Sequence, residues 1–195
     1  SIFACAAGDT VCVSLDIYDP DDGLSGTSEL GWVNLEDSTV CFAVDTSGTY
    51  CDRAIITDSC GLSDTVDYCV KIQVNQPPIA SCPAAEDIFL CEPEEICVGP
   101  FTCDDPDGNV VSHATSFGSL NGDQVCFTPD TAGVYTIEYT CTDDCDISSS
   151  CTTEVTVTFN QPPEIDCPDS TFTVHWGERL EIRFTATDPE GQQVR

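Results

Sequence analysis

Apolar and polar residues alternate with a period of two along much of the chain. Val155, Val157 and Phe159 fall on one side of such a run, and Glu154, Thr156 and Thr158 on the other. Tyr135, Ile137 and Tyr139 alternate in the same way with Thr136, Glu138 and Thr140. Successive side chains of a strand point to opposite faces, so this rhythm predicts half-buried β-strands. Threonine, valine and aromatics fill the runs, while Gly, Asp, Ser and Pro punctuate them. No run carries the three-and-four spacing of an amphipathic helix. The pattern predicts an all-β chain with about seven short strands in each stretch of 85 residues, the size of an immunoglobulin-type sandwich.

The strands recur. VNQPPIASCP, ending at Pro83, returns as FNQPPEIDCP, ending at Pro168. SIFAC (1–5) matches DIFLC (87–91), and TVCFAVDTSGTY (39–50) matches QVCFTPDTAGVY (124–135). The loop strings DPDDG (19–23), DPDG (105–108) and DPEG (188–191) follow nearly the same interval. Paired prolines hold the backbone extended and end any ladder, so each NQPP reads as a linker. The expected domains are repeat one (1–76), repeat two (77–161) and the opening strands of a third, incomplete repeat (162–195). This order of NQPP, short strand, DPDG, TPDTAGVYT and TDD resembles the tandem immunoglobulin-like, or cadherin-like, repeats of bacterial secreted and cell-surface proteins. The resemblance implies an extracellular location, adhesive or scaffolding roles, and in some members calcium at domain junctions.

Cysteine decides the compartment. The chain has 15 cysteines in 195 residues, a density typical of oxidising surroundings, where disulfides supplement a thin core. Zinc is disfavoured because no CxxC pair occurs, and His113 and His175 stand far apart. On the sandwich the resemblance implies, Cys5, Cys12, Cys41 and Cys82 gather at one junction, and Cys91, Cys97, Cys126 and Cys167 at the next. Cys51 and Cys69 lie nearly equidistant from the hairpin tip at Cys60, and Cys141 and Cys151 from the tip at Cys145. These two pairs are expected to bond, as are Cys103 and Cys145. Cys60 is left over, a free thiol or an inter-chain link.

Thirty-five acidic and 5 basic side chains give a formal charge of −30. That charge excludes nucleic acid and anionic lipid as partners, and no apolar run is long enough to span a membrane. The acidic loops admit two readings. Asp19, Asp21, Asp22, Asp104, Asp105, Asp107 and Asn109 belong to the loops between the second and third strands. Asp58, Asp143, Asp144 and Asp146 belong to the loops between the sixth and seventh. With the linker asparagines Asn75 and Asn160 beside them, these groups offer oxygen ligands for Ca2+. The other reading is ordinary Asp-Pro-Asp-Gly turn chemistry.

No nucleophile, acid–base or phosphate-loop motif is present, so no enzymatic activity is expected. Trp32 and Trp176 are packing residues or, in a glycan-binding module, a stacking platform. No N-x-[ST] occurs, and the start at Ser1 reads as a mature form or an excerpt. The third segment supplies TFTVHW and RLEIRFTATD, whose apolar residues Phe172, Val174, Leu180, Ile182 and Phe184 lack an opposing sheet. Three of the five basic residues, Arg179, Arg183 and Arg195, also fall here. The expectation is an extracellular structural protein that joins copies of itself head to tail in a filament, stalk or surface fibre. The alternative is an adhesin or carbohydrate-binding region that meets other surface proteins or glycans.

Overall fold

The computed structural model describes residues 1–18, 23–166 and 171–193. All regular structure among them is β. Repeat one contributes β1 (Ile2–Ala4), β2 (Asp9–Ser14), β3 (Ser25–Ser28), β4 (Trp32–Asn34), β5 (Thr39–Val44), β6 (Gly48–Thr57) and β7 (Ser63–Val74). They form one sheet in the order β1-β7-β6-β3 and a second in the order β2-β5-β4. Repeat two opens with β8 (Ile79–Ser81). Repeat two continues with β9 (Glu86–Leu90), β10 (Ile96–Val98), β11 (Thr102–Asp104), β12 (Val110–Thr115), β13 (Ser119–Asn121), β14 (Gln124–Phe127), β15 (Gly133–Asp143) and β16 (Ser148–Phe159). Its sheets have the orders β12-β15-β16-β9 and β10-β14-β13, the same layout as before, with β8 and β11 added as a pair. Two antiparallel sheets of four and three strands, with the first strand parallel to the last, make an immunoglobulin-like sandwich.

Alternation along each strand builds the cores. In repeat one, Ala4, Val11, Phe42, Val44 and Ile72 are buried together, with Ile2, Val13, Tyr50, Val70 and Val74 packed against them. Each fully buried side chain of the size of Phe42 or Ile72 stabilises by about 1.5–3 kcal/mol. In repeat two, Val125, Ile137, Val155 and Val157 are fully enclosed. Each sandwich also has a tyrosine corner. The Tyr50 hydroxyl donates to the Thr46 carbonyl at 2.8 Å, and the Tyr135 hydroxyl to the Thr131 carbonyl at 2.7 Å. This lock at the start of the sixth strand is a mark of the fold. Its signal was the recurring D-T-[SA]-G-x-Y.

Contacts divide the chain into two units that are not the repeats. The first is Ser1–Ile79 with Asp104–Ser112 and Thr142–Ser148, and the second is Ala80–Cys103 with His113–Cys141 and Ser149–Arg195. Two loops of repeat two therefore group with repeat one.

Six disulfides join described residues. Cys12–Cys41 and Cys97–Cys126 occupy equivalent places, the first linking β2 to β5 and the second β10 to β14. Cys51 bonds Cys69 directly opposite it in the β6–β7 ladder. Four expectations need correction. Cys141 bonds Cys103, not Cys151, because it lies on the inward side of β15 with Ile137 and Tyr139 and is fully buried. Cys151 bonds Cys82, so Cys82 stays within repeat two. There Ala80 donates to the Ser149 hydroxyl at 3.1 Å, drawing β8 alongside β16. Cys145 bonds Cys5, not Cys103. Cys91 is exposed and unbonded, as is Cys60. Cys167 lies outside the described residues.

The third segment differs from expectation too. β17 (Glu164–Asp166) pairs antiparallel with β18 (Thr185–Thr187). No strand forms over residues 171–184. A strand needs a hydrogen-bonded neighbour, and three-residue β17 serves only β18. Phe172, Val174, Leu180, Ile182 and Phe184 are consequently exposed.

Candidate functional site

The first unit holds a polar cluster built from one linker and two loops. Its foundation is the turn Asp105-Pro106-Asp107-Gly108. The Asp105 Oδ1 accepts the backbone N–H groups of Asp107 at 2.7 Å and Gly108 at 2.9 Å. Gly108 takes φ +72°, where a side chain would strain the backbone. The turn aims Asp107 at the linker. Its Oδ1 accepts from Gln73 Nε2 at 2.6 Å and its Oδ2 from the Gln76 N–H at 2.5 Å. Asn109 Nδ2 donates to Asn75 Oδ1 at 2.9 Å and to Asp144 Oδ1 at 2.5 Å.

Asp143 is the buried centre of the second loop. Its Oδ1 accepts the N–H groups of Cys145 at 2.9 Å and Ile147 at 2.8 Å, and its Oδ2 accepts from Asn75 Nδ2 at 2.7 Å. Burial pushes this carboxyl up, but the bonds from Asn75, Ile147 and Cys145 outweigh it and hold the group below the ordinary carboxylate value. Two buried oxygens of the cluster, Asp105 Oδ2 and Asn109 Oδ1, have no hydrogen-bond partner. Beside the loop, Cys5 bonds Cys145 with Cα atoms 5.3 Å apart, spanning 140 residues of sequence.

The second unit holds the same device at the next linker. Asp188 Oδ1 accepts the N–H groups of Glu190 and Gln192, each at 3.0 Å. Glu190 Oε2 accepts the Gln161 N–H at 3.2 Å, as Asp107 does that of Gln76. Gln192 Nε2 donates to Asn160 Oδ1 at 3.0 Å, as Asn109 does to Asn75. Asn75 donates its N–H to Ala4, and Asn160 likewise to Leu90. The pairing rule is therefore N-Q in the linker against D-P-[DE]-G-[NQ] in the following loop. Sequence reading missed Gln73, Gln76, Gln161, Glu190 and Gln192, although the repeated glutamine beside each linker asparagine was the available signal.

Of the residues expected to hold calcium, the structure gathers Asn75, Asp105, Asp107, Asn109, Asp143 and Asp144 in one hydrogen-bonded cluster. Asp58 instead caps its own turn, accepting from Cys60 and Leu62 at 2.8 Å each. Asp104 and Asp146 are exposed. Asp19, Asp21 and Asp22 lie outside the described residues. Among the described residues, no three His, Cys, Asp or Glu side chains converge as a metal site. The carboxylates meet amide donors in place of one another, and those bonds stabilise their charged form.

Of the aromatic and histidine candidates, Trp32 on β4 is 53% exposed and Trp176 wholly so. Trp176 is therefore not a packing residue, whereas Trp32 remains partly buried. His113 lies exposed on β12, its Nδ1 2.8 Å from the Tyr139 hydroxyl.

No family model matches the chain, and no curated protein matches it. Solved structures with a similar course of chain include protocadherin gamma B7 extracellular cadherin domains 1–4, at TM-score 0.45 and 18% identity over 96% of this chain. The chain spans 56% of that structure's length. Others are the fibronectin(III)-like modules of Clostridium thermocellum CbhA, at TM-score 0.37 and 15% identity over 82% of this chain and 92% of theirs. Titin domains I67–I69 match at TM-score 0.39 and 11% identity over 94% of this chain and 82% of theirs. The immunoglobulin-like assignment rests on this chain's own strand pairing and tyrosine corners.

Proposed function

We propose that the chain is an extracellular structural segment, in which sandwich repeats are joined in series to form a filament, stalk or surface fibre. The Cys5–Cys145 bond carries this reading. It ties the end of a repeat's first strand to a loop of the next repeat, at the junction where linker and loop already hydrogen-bond. Six disulfides require an oxidising compartment, and a charge of −30 keeps so long a polar surface soluble. Copies of the chain, engaged head to tail, are the proposed partners. Electron microscopy of purified, oxidised protein tests this. Strings with a regular repeat are expected, and uniformly single particles at high concentration would sink the filament form.

A second reading follows from the exposed tryptophans, either of which suits a glycan-stacking surface of an adhesin. Saturable glycan binding that disappears in Trp32→Ala or Trp176→Ala would favour it. Calcium belongs here as well. Asp105 Oδ2 and Asn109 Oδ1 are the oxygens a Ca2+ would take, with the remainder of its six to eight ligands from backbone and water. Calorimetry with Ca2+ alone would show saturable heat if so, and no heat if the loop is only a turn.

A further inference from the structure

Cys60 and Cys91 are the unbonded cysteines among the described residues, and both are exposed. Each occupies a position whose equivalent in the other repeat is bonded. Cys60 ends T-D-S-C at the tip between β6 and β7, as Cys145 ends T-D-D-C between β15 and β16. The two tips share their hydrogen bonds. Asp58 accepts from Cys60 and Leu62, and Asp143 from Cys145 and Ile147. Asp58 also donates its N–H to Leu62 at 2.9 Å, and Asp143 to Ile147 at 3.0 Å. The flanking hydroxyls pair at 2.8 Å in both, Thr57 with Ser63 and Thr142 with Ser148. One backbone conformation therefore presents both thiol positions.

Cys91 is the counterpart of Cys5. Cys5 ends I-F-A-C after β1, which lies parallel to β7 with Ala4 beside Val74. Cys91 ends I-F-L-C after β9, which lies parallel to β16 with Leu90 beside Phe159. The following linker N–H closes each strand end, Asn75 on Ala4 at 2.8 Å and Asn160 on Leu90 at 2.9 Å. The linker-and-turn half of the cluster that accompanies the Cys5–Cys145 bond recurs at the linker whose Asn160 closes the strand end before Cys91, in Asn160, Gln161, Asp188, Glu190 and Gln192.

We infer that Cys60 and Cys91 are the two complementary ends of a disulfide ladder that runs from repeat to repeat. Cys91 bonds the T-D-x-C loop cysteine of a following repeat, and Cys60 bonds the I-F-x-C strand-end cysteine of a preceding one. The neighbouring repeat is either a second copy of this chain or a continuation of the same polypeptide. The inference rests on the serial-junction reading above and deepens it. Formation is by exchange. A thiolate attacks the disulfide of oxidised glutathione or of a dithiol oxidoreductase, and the second thiolate resolves the mixed disulfide. Each bond formed releases two protons from two thiols, and the oxidant takes two electrons to become a pair of thiols.

Native protein is isolated in iodoacetamide without reductant, and its non-reduced peptides are mapped by mass spectrometry. Neither cysteine should carry the alkyl group. The Cys91 peptide should be joined to a T-D-x-C peptide and the Cys60 peptide to an I-F-x-C peptide. Cys91 joined to Cys60 identifies a second copy, and dimers should then form when Cys60→Ser and Cys91→Ser proteins are mixed in glutathione buffer but not from either alone. Cys91 joined to a T-D-x-C peptide foreign to this sequence identifies continuation. In that case the ladder stands while the self-assembled filament fails. Alkylation of either cysteine, like-to-like Cys60–Cys60 or Cys91–Cys91 bonds, or a Cys91–Cys167 bond would overturn the inference.

Discussion

Repeats one and two share a strand plan but differ at the centre of the equivalent strands β6 and β15. Asp52 of repeat one stands where repeat two has Ile137, 85 residues on. Ile137 is fully buried, as are Val155 and Val157 of the same repeat. Asp52 is only 6% exposed, yet it is a carboxylate. It accepts the Ser28 hydroxyl, the Tyr68 hydroxyl at 2.9 Å, and the N–H groups of Glu29 at 3.0 Å and Arg53 at 2.7 Å. Burial pushes its pKa up, but these bonds prevail and hold it below the ordinary value. Tyr68 moves the other way, pushed up by burial and then by Asp52. The fold accepts either chemistry at one position provided that every buried polar atom is matched. Cysteines vary by the same logic. Repeat one places Cys51–Cys69 across its exposed hairpin, whereas repeat two sinks Cys103–Cys141 into its core.

The largest expected effect tests what the repeats share. Cys12→Ala/Cys41→Ala and Cys97→Ala/Cys126→Ala remove disulfides of equal span, 29 residues each. In the chain-entropy account each should cost about 3–4 kcal/mol. Denaturant unfolding monitored separately in each repeat checks this, and unequal losses would mean that strain or residual structure differs between the sandwiches.

Exchanging the centres comes next. Ile137→Ala should cost repeat two about 3 kcal/mol, through lost burial and a cavity. Asp52→Ile should cost repeat one about 2–3 kcal/mol, because the Ser28 and Tyr68 hydroxyls and the Glu29 N–H lose their acceptor. Stability unchanged by Asp52→Ile would show that water replaces the carboxylate.

Acid tests the polar centre of repeat one. The Asp52 pKa is lowered from 3.8, so its contribution is present above that pH and is lost as pH falls through the lowered value. Repeat two has its own depressed carboxyl, Asp143, in a loop and not at a strand centre, so both repeats should lose stability below about pH 4, the ordinary carboxylate range. Asp52→Asn should reduce the loss in repeat one and leave that of repeat two unchanged in thermal melts run across pH. An undiminished loss in Asp52→Asn would assign acid sensitivity to the general charge instead.

The smallest effect concerns the tyrosine corners. Tyr50→Phe and Tyr135→Phe each remove one hydroxyl-to-carbonyl bond and should cost about 1 kcal/mol apiece. A markedly larger loss in one repeat, measured by chemical denaturation, would show that its corner also holds the neighbouring loop.

Local pattern was enough for the strands of the two repeats, since the period-two alternation of Ile137 and Val155 with their polar neighbours depends only on residues two apart, but over 171–184, without a pairing neighbour, it formed none. The repeat interval, the linkers and the hairpin tips at Cys60 and Cys145 were legible for the same reason, as was the opposition of Cys51 and Cys69 about one turn. Long-range choices were not. Cys145 had several cysteines available, and its bond to Cys5 across 140 residues was decided by where the Asp107 and Asn109 turn meets the linker. Cys141 faces inward toward Cys103 because β15 buries that side, a direction that sequence spacing does not fix. The acidic loops show the limit most clearly. Composition placed carboxylates near one another, but only the fold set Asp107 and Asp143 against the amide donors of Gln73, Gln76 and Asn75.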